Sequence, residues 1–110
     1  MLPQALPPGA VDRMPSLVGD PIVAPRVDPT GTMVHASWCV AAGAADAAAG
    51  AIAATLARQG WAELATRGDA SRAGVGGDRD GDRVSIVVAA STLASCPAPG
   101  HYLATATLSR

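Results

Sequence analysis

The chain has 110 residues, the size of one domain, and 49% of them are hydrophobic, which excludes global disorder. Its net charge is −1, and all eight basic residues are arginines dispersed along the sequence. Without a basic cluster, nucleic-acid binding is not expected, and no stretch approaches the ~20 apolar residues of a membrane span.

Residues 1–21 contain five prolines and little hydrophobic periodicity. Because proline fixes φ and removes a backbone donor, we interpret this segment as an extended arm or linker. It has neither the charged start nor the apolar centre of a signal peptide. The alternatives are a cytosolic protein or the mature region of an exported one. We favour the second, with the leader absent from this chain and a lipid tether as an upstream option.

Residues 22–110 are predicted to form a single domain. A short strand is expected over 22–27, where Pro25 confines it to a sheet edge. After a tight turn, a second strand over 32–40 alternates so that Trp38 lies on the core face and Cys39 on the other.

The helix pattern covers residues 44–59, with an apolar stripe at a spacing of three to four residues. Asp46 in the first turn suits the helix dipole, and Gly60 suits the position just after the helix. The remaining elements are predicted as strands 61–67, 70–76, 83–90 and 101–108, a turn over 76–82 and a loop over 91–100.

These elements predict an α+β fold in the order β-β-α-β-β-β-β, with one main helix on a mostly antiparallel sheet of four to six strands. Because one helix does not cover both faces of a sheet, the other face is expected to be solvated or to meet a partner. The expected large core side chains are Ile52, Leu56, Trp38, Trp61, Ile86 and Leu103.

The two cysteines, Cys39 and Cys96, suggest either one disulfide or two buried thiols, and we predict the disulfide. The core is thin because alanine and valine dominate it, so a covalent link is of particular value. Closing a loop of roughly 60 residues stabilises by about 4 kcal/mol on the chain-entropy model. A disulfide of this kind indicates an extracytoplasmic compartment: periplasm, cell envelope or the secreted space.

The same region leaves two alternatives open. His35, Cys39, Cys96 and His101 are candidate ligands for a zinc or small-ligand site, although their spacing matches no established zinc motif. Cys39 or Cys96 is a candidate nucleophile of a small enzyme, yet no positive cluster or helix start flanks either residue to lower its pKa.

Three further motifs favour turns. The run 78–82 resembles a calcium loop but lacks the later acidic ligand, so we interpret it as a solvated hairpin loop. Arg67-Gly68-Asp69 spells an adhesion tripeptide and also suits a turn at a strand end. The glycine-rich run 74–77 lacks the lysine and the following helix of a phosphate-binding loop.

The segment Leu56-Ala57-Arg58-Gln59-Gly60-Trp61, followed by Gly81-Asp82-Arg83-Val84, resembles small bacterial periplasmic and lipoprotein domains. In those domains a helix ends in Gly-Trp and runs into a hairpin, often in a ferredoxin-like arrangement. The resemblance covers residues 32–90. It implies a secreted or lipid-tethered bacterial domain and transfers no catalytic residues. The composition, rich in Ala, Gly, Pro and Arg, is likewise typical of bacterial genomes of high GC content.

The expected function is non-enzymatic: an envelope or secreted domain that binds a protein partner or associates with itself, with no cofactor and no catalytic residues. No triad, nucleophile elbow or paired acid is visible in the sequence. An apolar patch on the uncovered sheet face would support this function.

Overall fold

The computed structural model describes residues 5–110. Within them the chain forms the elements α1-β1-β2-α2-β3-β4-β5-β6. Their bounds are α1 Ala10–Arg13, β1 Val23–Val27, β2 Val34–Ala41, α2 Ala45–Arg58, β3 Ala62–Gly68, β4 Arg72–Arg79, β5 Asp82–Ala89 and β6 His101–Ser109. The fold is α+β and mostly sheet, and the predicted element order lacks α1.

The six strands form one antiparallel sheet in the spatial order β1-β2-β6-β5-β4-β3. β6, the last strand along the chain, lies between β2 and β5. β2 and β3 run in the same direction with three strands between them. α2 connects these two strands and packs against β3, β4 and β5.

The sheet face that packs under α2, here called the inner face, carries the core. Alternate residues of β2, β5 and β6 are buried on this face, as the sequence alternation predicts. Ile52, Leu56, Ile86 and Leu108 are the largest fully buried side chains. The prediction for Leu103 is wrong, because its place in the alternation puts it on the opposite face, paired with Cys39.

The helix stripe and the helix end agree with the sequence. The buried residues of α2 are Ala45, Ala48, Ala49, Ile52 and Leu56. Gly60 has φ of 88°, and its N–H donates to the Ala57 carbonyl at 3.2 Å. The Trp61 N–H donates to the Leu56 carbonyl at 3.1 Å. This pair of bonds is the Schellman arrangement, which requires a left-handed residue that glycine adopts without strain.

Part of the N-terminal segment packs against the domain. Residues 1–4 of the predicted arm lie outside the described part, but Ala10 of α1 and Met14 are buried in the core cluster. The Gln59 side chain bonds the Ser16 backbone twice, at 3.1 and 2.6 Å. A few apolar side chains therefore fix this arm to the domain, although its prolines prevent a regular strand.

The predicted turn over 76–82 is wrong, because most of it is strand. β4 continues to Arg79 and β5 begins at Asp82, so the turn is only Asp80-Gly81. Both turn residues have positive φ, 52° and 85°, which matches the two-residue turns that suit the twist of a hairpin. Gly77 of β4 has no side chain, and Leu64 packs into the space that a side chain there would fill.

Both outer strands of the sheet are irregular. β1 contains Pro25, and its register shifts between Val23 and Arg26. β3 shifts register between Ala62 and Ala65, where Glu63 has φ of 54°. Proline and bulges interrupt the row of backbone groups that another strand needs for pairing. The sheet edges are thus poor templates for strand addition.

Candidate functional site

The sheet face opposite α2, here called the open face, is the candidate functional surface. The strand registers place on it Val23, Arg26, His35, Ser37, Cys39, Ala41, Ala62, Ala65, Arg67, Arg72, Gly74, Gly76, Asp78, Arg83, Ser85, Val87, Ala89, His101, Leu103, Thr105, Thr107 and Ser109. All of these residues are half-buried or exposed. The surface is therefore a sheet face presented to its surroundings.

Short polar side chains occupy the centre of the open face. Ser37 pairs with Thr105, and Thr107 pairs with both His35 and Ser85 across the sheet. The Thr107 hydroxyl lies 3.3 Å from His35 Nδ1. Val23, Val87 and Leu103 are the larger apolar side chains of the face, and Leu103 is half-buried. The face is thus mostly polar and does not provide the apolar patch that would support a hydrophobic partner.

The disulfide between Cys39 and Cys96 is present, as predicted, with a Cα–Cα distance of 5.4 Å. Cys39 projects from β2 on the open face, and Cys96 lies in the loop between β5 and β6. The residue Cys96 is completely buried. The bond therefore anchors the 90–100 loop over one end of the open face.

The disulfide removes both sulfurs from the alternative functions. Zinc ligation and nucleophilic attack both require a thiolate, which neither cysteine has in this state. His35 and His101 lie on the same face as Cys39, but in the described chain no group of three or more histidine, cysteine or acidic side chains is arranged to hold a metal ion. The four predicted ligands do not form a metal centre in the disulfide form.

A cleft of about 400 Å³, here called the arginine cleft, opens on the open face at the β3–β4 hairpin. Its lining residues are Arg67, Gly68, Asp69, Arg72, Ala73, Gly74 and Val87. Arg67 pairs with Gly74 across the hairpin, and Gly74 pairs with Val87 on the next strand. Because Gly74 has no side chain, the Arg67 stem lies over it, with Cγ and Nε each 3.8 Å from where a Cβ would be.

The tripeptide Arg67-Gly68-Asp69 forms the hairpin end, as the turn interpretation predicts. Asp69 Oδ1 accepts hydrogen bonds from the Ser71 N–H at 2.9 Å, the Ser71 hydroxyl at 2.6 Å and the Arg72 N–H at 3.2 Å. The bonds from Ser71, then that from Arg72, hold the pKa of Asp69 below its ordinary value. The carboxylate therefore organises the turn beside the cleft.

A second hollow, of about 570 Å³, lies at the opposite side of the open face. Its lining residues are Arg26, Val27, Asp28, Pro29 and His35. Burial raises the pKa of Asp28, but hydrogen bonds from Thr30, Met33 and Thr32, with the charge of His35, outweigh it and lower the pKa. Asp28 thus remains ionised and holds the β1–β2 turn.

The open face has a charge opposite to that of the whole chain. Its paired strand positions contain four arginines and one aspartate, a net charge of +3, whereas the chain carries −1. Asp78 is already paired with Arg83 at 3.1 Å. Arg26, Arg67 and Arg72 are the remaining arginines of the face. The sequence alone does not reveal this segregation, because the arginines are far apart along the chain.

The calcium-like run 78–82 is a structural cluster. Asp82 is 2% exposed, which contradicts the predicted solvated loop. Its two carboxylate oxygens accept bonds from Arg13 at 2.8 Å and Arg110 at 3.1 Å. A buried carboxylate requires such partners because the charge loses its hydration. No local pattern in the sequence indicates this cluster, because both arginines lie near the chain ends.

Comparison of the chain with protein-family models, with curated proteins and with solved structures finds no match. The resemblance to periplasmic and lipoprotein domains therefore stays a prediction. Among the helices of the described residues, none is both long enough and apolar enough to cross a membrane.

Proposed function

We propose that this chain is a non-enzymatic, extracytoplasmic domain that binds a partner protein through its open face. The observation that supports this function is an exposed sheet surface with arginines at both sides and hydroxyl groups between them. Arginine is enriched in protein interfaces because its planar group forms several directed hydrogen bonds.

The disulfide supports the compartment. Cytosolic thiols are kept reduced, whereas disulfides persist in the periplasm, on cell surfaces and outside the cell. The fully buried Cys96 joins a long loop to the sheet, so the bond has a structural place in the fold. An exported domain of this size and thin core gains most from such a link.

The face is a better contact surface than the sheet edges. Strand addition requires a continuous row of free backbone N–H and C=O groups. Pro25 interrupts β1, and the register shift at Glu63 interrupts β3. A partner therefore meets the side chains of the open face rather than the backbone of an outer strand.

Site-specific photo-crosslinking in the envelope and secreted fractions of the source organism tests this function. A photoreactive phenylalanine analogue replaces Thr105 at the centre of the open face, and in a matched protein it replaces Ala54 on the exposed side of α2. We expect a discrete crosslinked protein from position 105 and none from position 54.

The crosslinked protein is then purified and its affinity is measured by calorimetry. Val87, which is 39% exposed, is changed to Glu, and Ala54 is changed to Gln as the control. We expect V87E to weaken binding by about tenfold or more, as for a central interface position, and A54Q to leave it unchanged. Equal crosslinking from both positions, or unchanged affinity of V87E, would contradict binding through this face.

A further inference from the structure

We propose that the partner contacts the open face with an extended acidic polypeptide segment, and that one carboxylate of this segment binds in the arginine cleft between Arg67 and Arg72. This inference rests on the proposed function and specifies the chemistry of the partner.

The hairpin positions the two arginines around one cleft. Arg67 lies near the end of β3 and Arg72 at the start of β4, on either side of the turn. Gly74 and Val87 form an uncharged floor between strands. The volume of about 400 Å³ is sufficient for a carboxylate with the methylene groups that carry it.

Both guanidinium groups keep their hydrogen-bond donors for a ligand. Over residues 5–110, the ion pairs of the chain involve Arg13, Arg83 and Arg110 instead. Arg79 lies over the Trp61 ring at 4.4 Å and bonds two backbone carbonyls. Asp69 also lines the cleft, but its Oδ1 accepts bonds from the donors of its own turn, and the two arginines outnumber this one carboxylate. Arginine binds carboxylates with two parallel charge-assisted hydrogen bonds, which favours this ligand class.

The spread of charge across the face favours a long ligand. Arg26 lies on β1 and Arg67 on β3, at opposite edges of the six-stranded sheet. Five strand spacings separate them, which is about 24 Å. An extended peptide of about eight residues covers this distance, whereas a single phosphate or carboxylate ion does not.

A second copy of the chain is a poor occupant. The paired strand positions of each open face carry a net charge of +3, or +1 when Asp28 and Asp69 of the two hollows are included. Two open faces would therefore bring surfaces of like charge together, which opposes association. An acidic segment neutralises the same groups. Between the arginines, the hydroxyl groups of Thr105 and Thr107 on the open face offer hydrogen-bond donors to the backbone carbonyls of this segment.

NMR titration of the ¹⁵N-labelled protein tests the inference. The probe is a capped octaglutamate peptide, compared with octaglutamine, diglutamate, inorganic phosphate and a heparin hexasaccharide. We expect octaglutamate to shift the amide signals of Arg67, Arg72, Gly74 and Arg26, and octaglutamine to leave them unchanged. Diglutamate should bind at least about tenfold more weakly, because it reaches only one arginine group.

Variants localise the binding. The variant R67Q removes one charge from the cleft, and R58Q removes one charge from the exposed side of α2, away from the open face. We expect the cleft variant to weaken octaglutamate binding by about tenfold or more, and to do so more than the control. Unchanged amide dispersion and thermal midpoint verify that both variants fold.

Several outcomes overturn the inference. Equal weakening by the two variants would indicate diffuse charge attraction, and signal shifts produced by phosphate or heparin but not by octaglutamate would indicate a simple anion site. A crosslinked partner whose contact segment is neutral or basic would also overturn it while leaving the proposed function intact. Failure of the crosslinking from position 105 would instead reject the proposed function.

Discussion

Arg13 and Asp82, 69 positions apart in sequence, are joined by a salt bridge of 2.8 Å between Nε and Oδ2. The second oxygen of the same carboxylate accepts a bond from Arg110 at 3.1 Å. The Asp82 side chain is 1% exposed, whereas the arginines are 27% and 31% exposed. One buried acid thus joins the N-terminal arm, the start of β5 and the last residue of the chain.

Changing Asp82 to Asn should destabilise the domain by about 3 kcal/mol, because two guanidinium groups lose the charge that compensates their partial burial. Urea-induced unfolding at pH 7 measures this loss. The matched change, Arg83→Gln, breaks the exposed pair with Asp78 and should cost less than about 1 kcal/mol. Equal losses from the two variants would show that burial of Asp82 does not set its contribution.

The disulfide should contribute about 4 kcal/mol to stability, since it links residues 57 positions apart. Changing Cys39 and Cys96 together to Ala removes this link. Urea unfolding of the variant and of the oxidised protein measures the difference, and intact mass verifies that the oxidised protein lacks two hydrogens. Faster amide exchange in the 90–100 loop should accompany the loss. Identical midpoints for the two proteins would contradict this role.

Two glycine-to-alanine changes should alter the stability of the domain in opposite directions. Gly68 has φ of 108°, and a Cβ there would overlap the Arg72 carbonyl and lie 2.6 Å from Ala73 Cα. Gly68→Ala should therefore cost at least about 2 kcal/mol, because backbone must shift. Gly50 lies on the exposed side of α2, and nothing lies within 4 Å of where its Cβ would be. Gly50→Ala should therefore stabilise the domain by about 0.5–1 kcal/mol. Thermal unfolding distinguishes the two, and a destabilised Gly50→Ala would contradict the helix geometry.

Lowering the pH should remove the part of the domain's stability that depends on ionised Asp69. Its pKa in the fold lies below its ordinary value, because of the bonds from Ser71 and Arg72. The folded state therefore binds fewer protons, so ionised Asp69 stabilises the fold. This stabilisation is present above the ordinary pKa and is lost as the pH falls through the lower pKa of the folded state. The Asp69→Asn variant should lose less stability than the wild type between about pH 5 and about pH 2.

Urea unfolding at both pH values measures this difference. Ser71→Ala keeps the carboxylate but removes one of its donors, so it should reduce the pH dependence in the same direction as Asp69→Asn. Identical pH dependence in all three proteins would show that the turn does not favour the ionised form.

Local patterns in the sequence predicted much of the core. The alternation in β2 sorted Trp38 from Cys39 correctly, and the helix spacing identified the buried side of α2. Gly60 marked the helix end because a left-handed residue is needed there. The disulfide followed from the count of cysteines, since two half-cystines have only one pairing.

Features that depend on distant contacts were not predictable in this way. The acidic run ending in Asp82 has the composition of a solvated turn, and only the arrival of Arg13 and Arg110 makes its burial favourable. Met14 follows a proline-rich segment without periodicity, yet it is buried in the core. The pairing of β2 with β6 has no local signal, because alternation specifies a face and not a neighbour.

The candidate site was missed for a related reason. Arg67 and Arg72 were counted as dispersed charges, although a turn between two strands places both at one cleft. The available signal was a Gly-Asp turn with an arginine on each side. This pattern indicates a site only if the sheet face that carries the arginines is uncovered, and that depends on which face α2 packs against.

The position of β6 has a consequence for the cooperativity of the fold. This strand lies at the centre of the sheet, between two hairpin systems that do not otherwise pair. Leu108 of β6 pairs with Val34 on one side and with Val84 on the other, so the strand joins the inner faces of both halves into one core. Removal of β6 should therefore leave two separate, unstable pieces rather than a smaller domain.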